Sequence, residues 1–496
     1  MSAPSDVRYA DMRTVEEDRV DELAPGRPVV FRNGTVLPMD DRRSVLERTD
    51  VLVLGERIEA VGPALPAPEG TFEVDATGGI VMPGMIDTHR HMWQTAMRGY
   101  GADWTLTQYF VWYYLEHGKT FRPEDVHAGN LLSAIEAVDA GVTTTVDWSH
   151  GLQTVDHADA AVDALQAVPG RFVLAYGNIQ AGPWEWTVDP AVRSFLERRR
   201  GDLEGWQLAF DVTGDPAFPE KPAFEVAREL GVPVTTHAGV WGATNDDGIR
   251  LIHEHGFATP QSVYVHAATL GEDSYQRIAA TGGTVSVSTE SEQSCGQGYP
   301  PTWTLRNHDI PVALSMDTSV WWSGDLFSAM RTTLGADRSR EHLEAHAKGE
   351  TVTNCHLRAD QVVEWATRGG ARALGLDGVV GRLAPGLKAD AVLIKNDASP
   401  VMFPLLNPYG HVALQAQRGD VHTVLVNGRV VKHDHRLVGI DLAAARRAVE
   451  STVEHLRSAL GPDAWAAGMH PEIPTTQILD NPYQYTDYSS GSTHGQ

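Results

Sequence analysis

Five residues of metal-ligand type stand at the ends of short β-branched runs, and their spacing is where chemistry can first be read. His89 and His91 close the run IVMPGMIDTHRH as His-Arg-His. Positions i and i+2 of a strand share a face, so both imidazoles can reach one point. His237 ends VPVTTH, His266 lies at the end of SVYVHA, and Asp317 ends IPVALSMD. A lone histidine is ordinarily a satisfied structural group. Five ligand-type residues at matching strand ends point instead to a single metal site. Such a donor set around an open position suits Zn2+, with Fe2+ or Mn2+ as alternatives. A metal there brings the ionisation of water close to neutral pH, and a neighbouring aspartate can take up and return the proton.

These side chains need strands whose C-terminal ends meet. Eight runs alternate with helical segments: IVMPGMIDTHRH, GVTTTVDW, RFVLAYGN, WQLAFDV, VPVTTH, SVYVHA, GTVSVST and IPVALSMD. This is the pattern of an α/β fold, a (β/α)8 TIM-like barrel with its site at the C-terminal rim. Side-chain alternation predicts that Thr235 and His237 oppose Val232 and Val234, and that Tyr264 and His266 oppose Val263 and Val265. It likewise sets Ala313, Ser315 and Asp317 against Val312, Leu314 and Met316, with the aliphatics toward the helices and the polar set toward the mouth. Further β-type runs lie between Val29 and Val81 and return in ADAVLIK and VHTVLVNGRVV, with Asn33-Gly34 and Asn427-Gly428 reading as hairpin turns. The expected map is a polar leader over 1–27, a small β-sandwich-like domain from 28–80 plus 378–437, and a barrel over 81–377. Residues 438–496 then supply a helix near 441–460 and an irregular tail after Gly461.

The length of 496 residues suits a barrel plus one further domain. A net charge of −25 disfavours nucleic acid and anionic membrane as partners and leaves a small-molecule substrate. Cys295 and Cys355 are too few for a disulfide scaffold or a thiolate metal cluster. With no signal-like or membrane-spanning apolar run in the sequence, the expected location is cytoplasmic.

The segment VMPGMIDTHRHMWQTAMRG resembles the first-strand signature of the amidohydrolase superfamily, in its cytosine deaminase and triazine hydrolase-like branch. The segment ATRGGARALGLDGVVGRLAPGLKADAVLI resembles the same branch's return into its β-domain, and the likeness covers about residues 28–437. It implies a divalent metal held by His89, His91, His237 and Asp317, with His266 polarising the substrate oxygen or holding the attacking water. Asp317 would shuttle the proton, and a homodimer or larger homo-oligomer is implied as well. Binuclear relatives carry a bridging lysine at the end of the fourth strand, whereas Leu208-Ala209-Phe210-Asp211 has none, so one metal per chain is expected.

The branch usually places a glutamate three residues after the fifth-strand histidine to protonate a heteroaromatic ring; here that residue is Val240. Glu290 and Glu292 share the parity of Ser286 and Ser288, which would bring them to the mouth as a substitute proton shuttle or as substrate ligands, the alternative being solvated rim carboxylates in a loop. Trp93 and Trp321 each follow a ligand position by four residues and are expected to wall a flat pocket, with Gln94 orienting a polar edge. His150, after the second strand, reads either as a group supporting the ligands from behind or as an ordinary surface histidine, the latter being favoured. The combined reading is a metal-dependent hydrolase of a C–N bond in a small cyclic or aromatic compound. A lyase such as a decarboxylase on the same scaffold, or a catalytically inactive binding barrel, are the alternatives.

Overall fold

The computed structural model describes residues 23–182, 184–240 and 243–473. Most of the expected leader, residues 1–22, lies outside the described residues.

Two sheets organise the chain. The small-domain sheet takes β1 (Val29–Val36), β2 (Leu46–Leu54), β3 (Arg57–Gly62), β4 (Phe72–Asp75) and β5 (Ile80–Pro83) from the N-terminal part. The barrel strands follow as β6 (Met85–Arg90), β7 (Val142–Ser149), β8 (Arg171–Tyr176), β9 (Gly205–Ala209), β10 (Val234–Ala238), β11 (Val263–His266), β12 (Thr284–Val287) and β13 (Val312–Leu314). The small sheet is then completed by β14 (Ala391–Ile394), β15 (Val421–Val426), β16 (Arg429–His433) and β17 (Arg436–Leu437). The small sheet runs β17-β16-β15-β14-β5-β1-β2-β3, with β4 beside β1; the barrel sheet runs in sequence order from β6 to β13, all parallel. The barrel and the β-domain built from both ends of the chain are therefore both present.

The run 80–91 is two strands, not one. The chain leaves the small sheet at Pro83 and enters the barrel at Met85. Gly84 makes the passage because a Cβ there would meet Thr143 Oγ1 at 2.1 Å. Closure between first and last barrel strands happens at the mouth: Asp317 N donates to His89 O (3.1 Å) and His91 N donates to Asp317 O (2.8 Å). The seam of the barrel is thus stitched by three of the candidate ligands.

Two local expectations need correction. Asn33-Gly34 is not a hairpin turn but an irregularity inside β1, where Asn33 takes φ +58 and the register against β2 shifts. A short polar side chain tolerates the left-handed region, and Gly34 lets Ala76 and Val81 approach to 3.0–3.1 Å of its would-be Cβ. Asn427-Gly428, both at positive φ, does form the turn between β15 and β16. The tail after Gly461 opens with a short helix, Pro462–Ala467, and the rest of the expected irregular tail, residues 474–496, lies outside the described residues.

The alternation predicted for β10 and β13 holds: Val234, Val312 and Leu314 belong to the layer packed on the helices, while Ala313 lies in the barrel interior. For β11 it is inverted. Val263 and Val265 fill the interior with Ala209 and Ala313, and Tyr264 faces the helices. The expected helix near the C-terminus spans Leu442–Leu460, and its His455 Nε2 donates to Thr120 O at 3.0 Å. No helix among the described residues is long and apolar enough to cross a membrane.

Candidate metal centre and cavity

His89 sits on β6 and His91 one residue past its end; both are buried. His237 is on β10, and Asp317 follows β13 at φ +61, a left-handed conformation that turns the carboxylate inward. His266 ends the inverted strand β11, yet it reaches the same point because its own φ is +71. The ring centroids of His91, His237 and His266 lie 4.6, 5.0 and 5.5 Å from that of His89. Asp317 Oδ1 is 3.3 Å from His89 Nε2 and 3.2 Å from His91 Nε2. Candidate ligand atoms of His89, His91 and His237 lie within 4.8 Å of one another, as do those of His89, His266 and Asp317.

Outer hydrogen bonds aim three of the imidazoles. His91 Nδ1 donates to Trp148 O (2.7 Å), His237 Nδ1 to Asp211 Oδ1 (3.0 Å), and His266 Nδ1 to Glu292 Oε1 (3.4 Å). Each bond leaves Nε2 for the centre, the arrangement by which outer partners orient metal ligands. Burial and then the charge of His91 hold the His89 imidazole well below its usual pKa, and burial lowers His91 too. Both are thus neutral, the form that ligates. Burial works to raise Asp317, but the imidazoles of His89 and His91 standing against its Oδ1 outweigh it and hold the carboxyl well below its usual range.

The donor set fits a divalent ion. Both ring nitrogens of His89 are buried without a hydrogen-bond partner among the described residues, although an unsatisfied buried polar atom is costly. A metal at the convergence of these donors would satisfy Nε2.

Above the donors lies a cavity lined by His91, Leu106, Tyr109, Phe110, Tyr114, Trp148, His150, Asp211, His237, Val240, His266, Gln297 and Asp317. The remaining sequence candidates stand outside this lining. Trp93 packs flat near Tyr113 and edge-on to Phe121, and donates through Nε1 to His150 Nδ1 (3.1 Å). Gln94 donates to the hydroxyls of Tyr109 and Tyr114, both at 2.8 Å. Trp321 donates to Ser291 Oγ (2.8 Å) and meets Tyr109 edge-on. These three back the wall and do not form its surface.

The two acids of the seventh unit part company. β12 ends at Val287 and the chain turns into the short helix Thr289–Ser294, so strand alternation no longer applies. Glu292 stands behind His266, while Glu290 accepts from Ser328 Oγ away from the cavity.

Sequence reasoning missed several lining residues. His150 is not a surface histidine: it is buried and stacks on His91 at 4.1 Å. It follows Trp148 by two positions, and that parity with a wall residue was the available signal. The aromatic segment Tyr109–Glu116 was missed too, although its composition, YFVWYYLE, stands out.

A parallel barrel carrying convergent histidines and an aspartate at its mouth defines a metal-binding enzyme of the barrel type. The chain belongs to the Amidohydrolase family, whose model matches residues 80–431. It is 30% identical over 430 residues to a 5-methylthioadenosine/S-adenosylhomocysteine deaminase of Symbiobacterium thermophilum, covering 82% of this chain and 94% of that one. It is 25% identical over 454 residues to a 5'-deoxyadenosine deaminase of Methanosarcina mazei, covering 87% and 99%. Among solved structures, an adenosine deaminase from Xanthomonas campestris with bound zinc aligns at TM-score 0.73 and 22% identity, covering 88% of this chain and 100% of that one. Atrazine chlorohydrolase from Arthrobacter aurescens complexed with zinc aligns at TM-score 0.72 and 21% identity, covering 86% and 100%.

Proposed function

We propose that this chain hydrolyses a C–N bond of a small, flat heterocycle with one divalent ion, zinc in the first instance, held by His89, His91, His237 and Asp317. The observation that carries the reading is the convergence of these donors on His89, whose ring nitrogens have no hydrogen-bond partner among the described residues, beneath a cavity with aromatic walls. Support comes from the relatives named as deaminases of adenosine-type compounds and from neighbours solved with zinc.

A metal bound here supplies a water molecule acidified to near neutral pH. The chain's own groups do the rest. Leu106, Phe110, Trp148 and Val240 make the cavity apolar and favour a planar ring. His266, held through Nδ1 by Glu292, presents Nε2 as an acceptor that orients the attacking water. Asp317, kept ionised, takes the proton from that water and passes it to the departing nitrogen. In this reading Glu290 has no part in proton transfer, and Trp93, Gln94 and Trp321 support the wall from behind.

Val240 adds a restriction. An apolar side chain lines the cavity after the fifth strand and offers no proton to a ring nitrogen. Cyclic amides and other substituents whose leaving group Asp317 alone can protonate are therefore favoured over purine amines. The proposal includes a cytoplasmic location, which the unpaired Cys295 and Cys355 support.

Metal analysis of natively purified protein beside His89→Ala, followed by turnover of cyclic amides and heterocyclic amines in H2 18O, tests this. About one metal per chain, lost in the variant, with solvent oxygen in the product, is the expected result. Turnover without oxygen incorporation would assign a lyase instead, and absence of metal even after reconstitution would remove the hydrolase reading.

A further inference from the structure

The cavity contains a fixed hydrogen-bond donor outside the candidate ligand set. His150 lies two residues past Trp148 at the end of β7, is 6% exposed, and stacks on His91 with ring planes 12° apart. Its Nδ1 receives the indole N–H of Trp93 at 3.1 Å. An indole nitrogen can only donate, so Nδ1 must be the unprotonated nitrogen. The ring is then neutral and carries its proton on Nε2. Trp93 is itself held between Tyr113 and Phe121, so the lock is rigid. Tyr114 Oη lies 3.3 Å from the same Nδ1 and favours the same tautomer as a donor.

Nε2 has no partner among the described residues, and the ring lines the cavity. The neighbouring hydroxyls are differently placed: Tyr109 and Tyr114 bond to each other at 2.6 Å and to Gln94, which also receives Thr318 Oγ1. Leu106, Phe110 and Val240 contribute only apolar surface. His150 Nε2–H is thus a directional donor in an otherwise largely apolar part of the wall.

We propose that His150 is a substrate-positioning residue whose Nε2–H, fixed by Trp93, hydrogen-bonds an in-plane acceptor, a ring nitrogen or ring carbonyl oxygen, of a flat heterocycle bound above the donor cluster. The assignment rests on the hydrolase reading for its substrate class but not for the tautomer. It gives the cavity an orientation: the acceptor edge of the ring turns toward β7, which fixes which C–N bond faces Asp317. It also makes selection one of acceptors, since a ring presenting C–H or N–H at that edge would leave Nε2–H unpaired.

Hypoxanthine, a planar ring with both carbonyl and ring-nitrogen acceptors, serves as the probe. Its binding to the zinc-loaded enzyme is measured by calorimetry for wild type, His150→Phe and His150→Gln. Phenylalanine keeps the stack on His91 without a donor, and the glutamine amide restores an N–H near Nε2. The expected result is about tenfold weaker binding for His150→Phe and recovery to within about threefold for His150→Gln. In parallel, 15N-histidine spectra should show one ring, absent in His150→Phe, protonated on Nε2 alone and losing that preference in Trp93→Phe. A proton on Nδ1, equal affinity in all three proteins, or no binding by wild type at millimolar concentration overturns the proposal. Metal content and 18O incorporation report on the hydrolase reading separately, because neither depends on His150.

Discussion

The donors at the centre depend on groups one step further out. Asp211 accepts from both the backbone N–H and the Nδ1–H of His237, each at 3.0 Å, and so sets the ring's tautomer and direction. Asp211→Ala should keep all four proposed ligands yet weaken metal binding about 10- to 100-fold, read by competition with a chelator. Unchanged affinity would mean that the strand alone aims His237. The contrast between Asp211 and the ligands shows what was legible at this scale. His89, His91, His237, His266 and Asp317 could be found because metal-ligand types recur at strand ends, whereas Asp211 was read only as the absence of a lysine. Trp93 was picked out for its distance from His89, but the turn Met92–Met97 carries it behind the wall and gives Trp148 the surface. Spacing identifies a position along a strand; it does not foresee where a turn sends the next side chain.

Elements were legible where alternation ran uninterrupted. All eight barrel strands lie within runs visible in the sequence or pass them by one residue at an end, because a buried parallel sheet demands β-branched residues at short intervals. Alternation failed at β11, where the small Ala209 and Ala313 on nearby strands leave interior room for Val263 and Val265. The positive φ at His266 then supplies the inward turn that parity would have supplied. Helix placement also relies on close approach. Gly129, in the helix Pro123–Asp139, faces the backbone of Trp93, and a Cβ there would meet Trp93 O at 2.1 Å. Backbone cannot step aside as a flexible side chain can. Gly129→Ala should therefore push this helix from the turn Met92–Met97 and cost about 1–3 kcal/mol or more, seen as a lower midpoint in urea unfolding. A neutral outcome would show that the turn can shift without loss, and with it the position of Trp93.

At the scale of the molecule, the two sheets are tied by charge as well as by the chain. Arg171 on β8 bonds to Asp390, just before β14, and to Asn427 of the β15–β16 turn, with both ionic partners almost wholly buried. Asp390→Ala would leave a buried guanidinium without one of its two carboxylates, Glu204 being the other, and should cost on the order of 3 kcal/mol by thermal unfolding. Other buried carboxyls have the opposite balance and make stability depend on pH. Burial pushes Asp147 up to about 7 despite hydrogen bonds from Asn130 and Met92 N. Burial likewise pushes Glu290 up to about 8, with Ser328 pulling the other way. Both values lie above those of an unfolded chain, so across this range the folded state binds more protons. The associated stability is complete below about pH 4 and is lost as pH rises through about 7 and then about 8. Midpoints of thermal unfolding should therefore fall between about pH 4 and about pH 8 and level off above, the loss of stability over the whole interval being on the order of a few kcal/mol for each group. Glu290→Gln puts a neutral amide where the protonated acid stood and should remove its share of that decline, unfolding above wild type at the higher pH. A wild-type midpoint that stays level or climbs over this interval would mean that Glu290 and Asp147 are ionised inside the fold, with a compensating positive charge beside them.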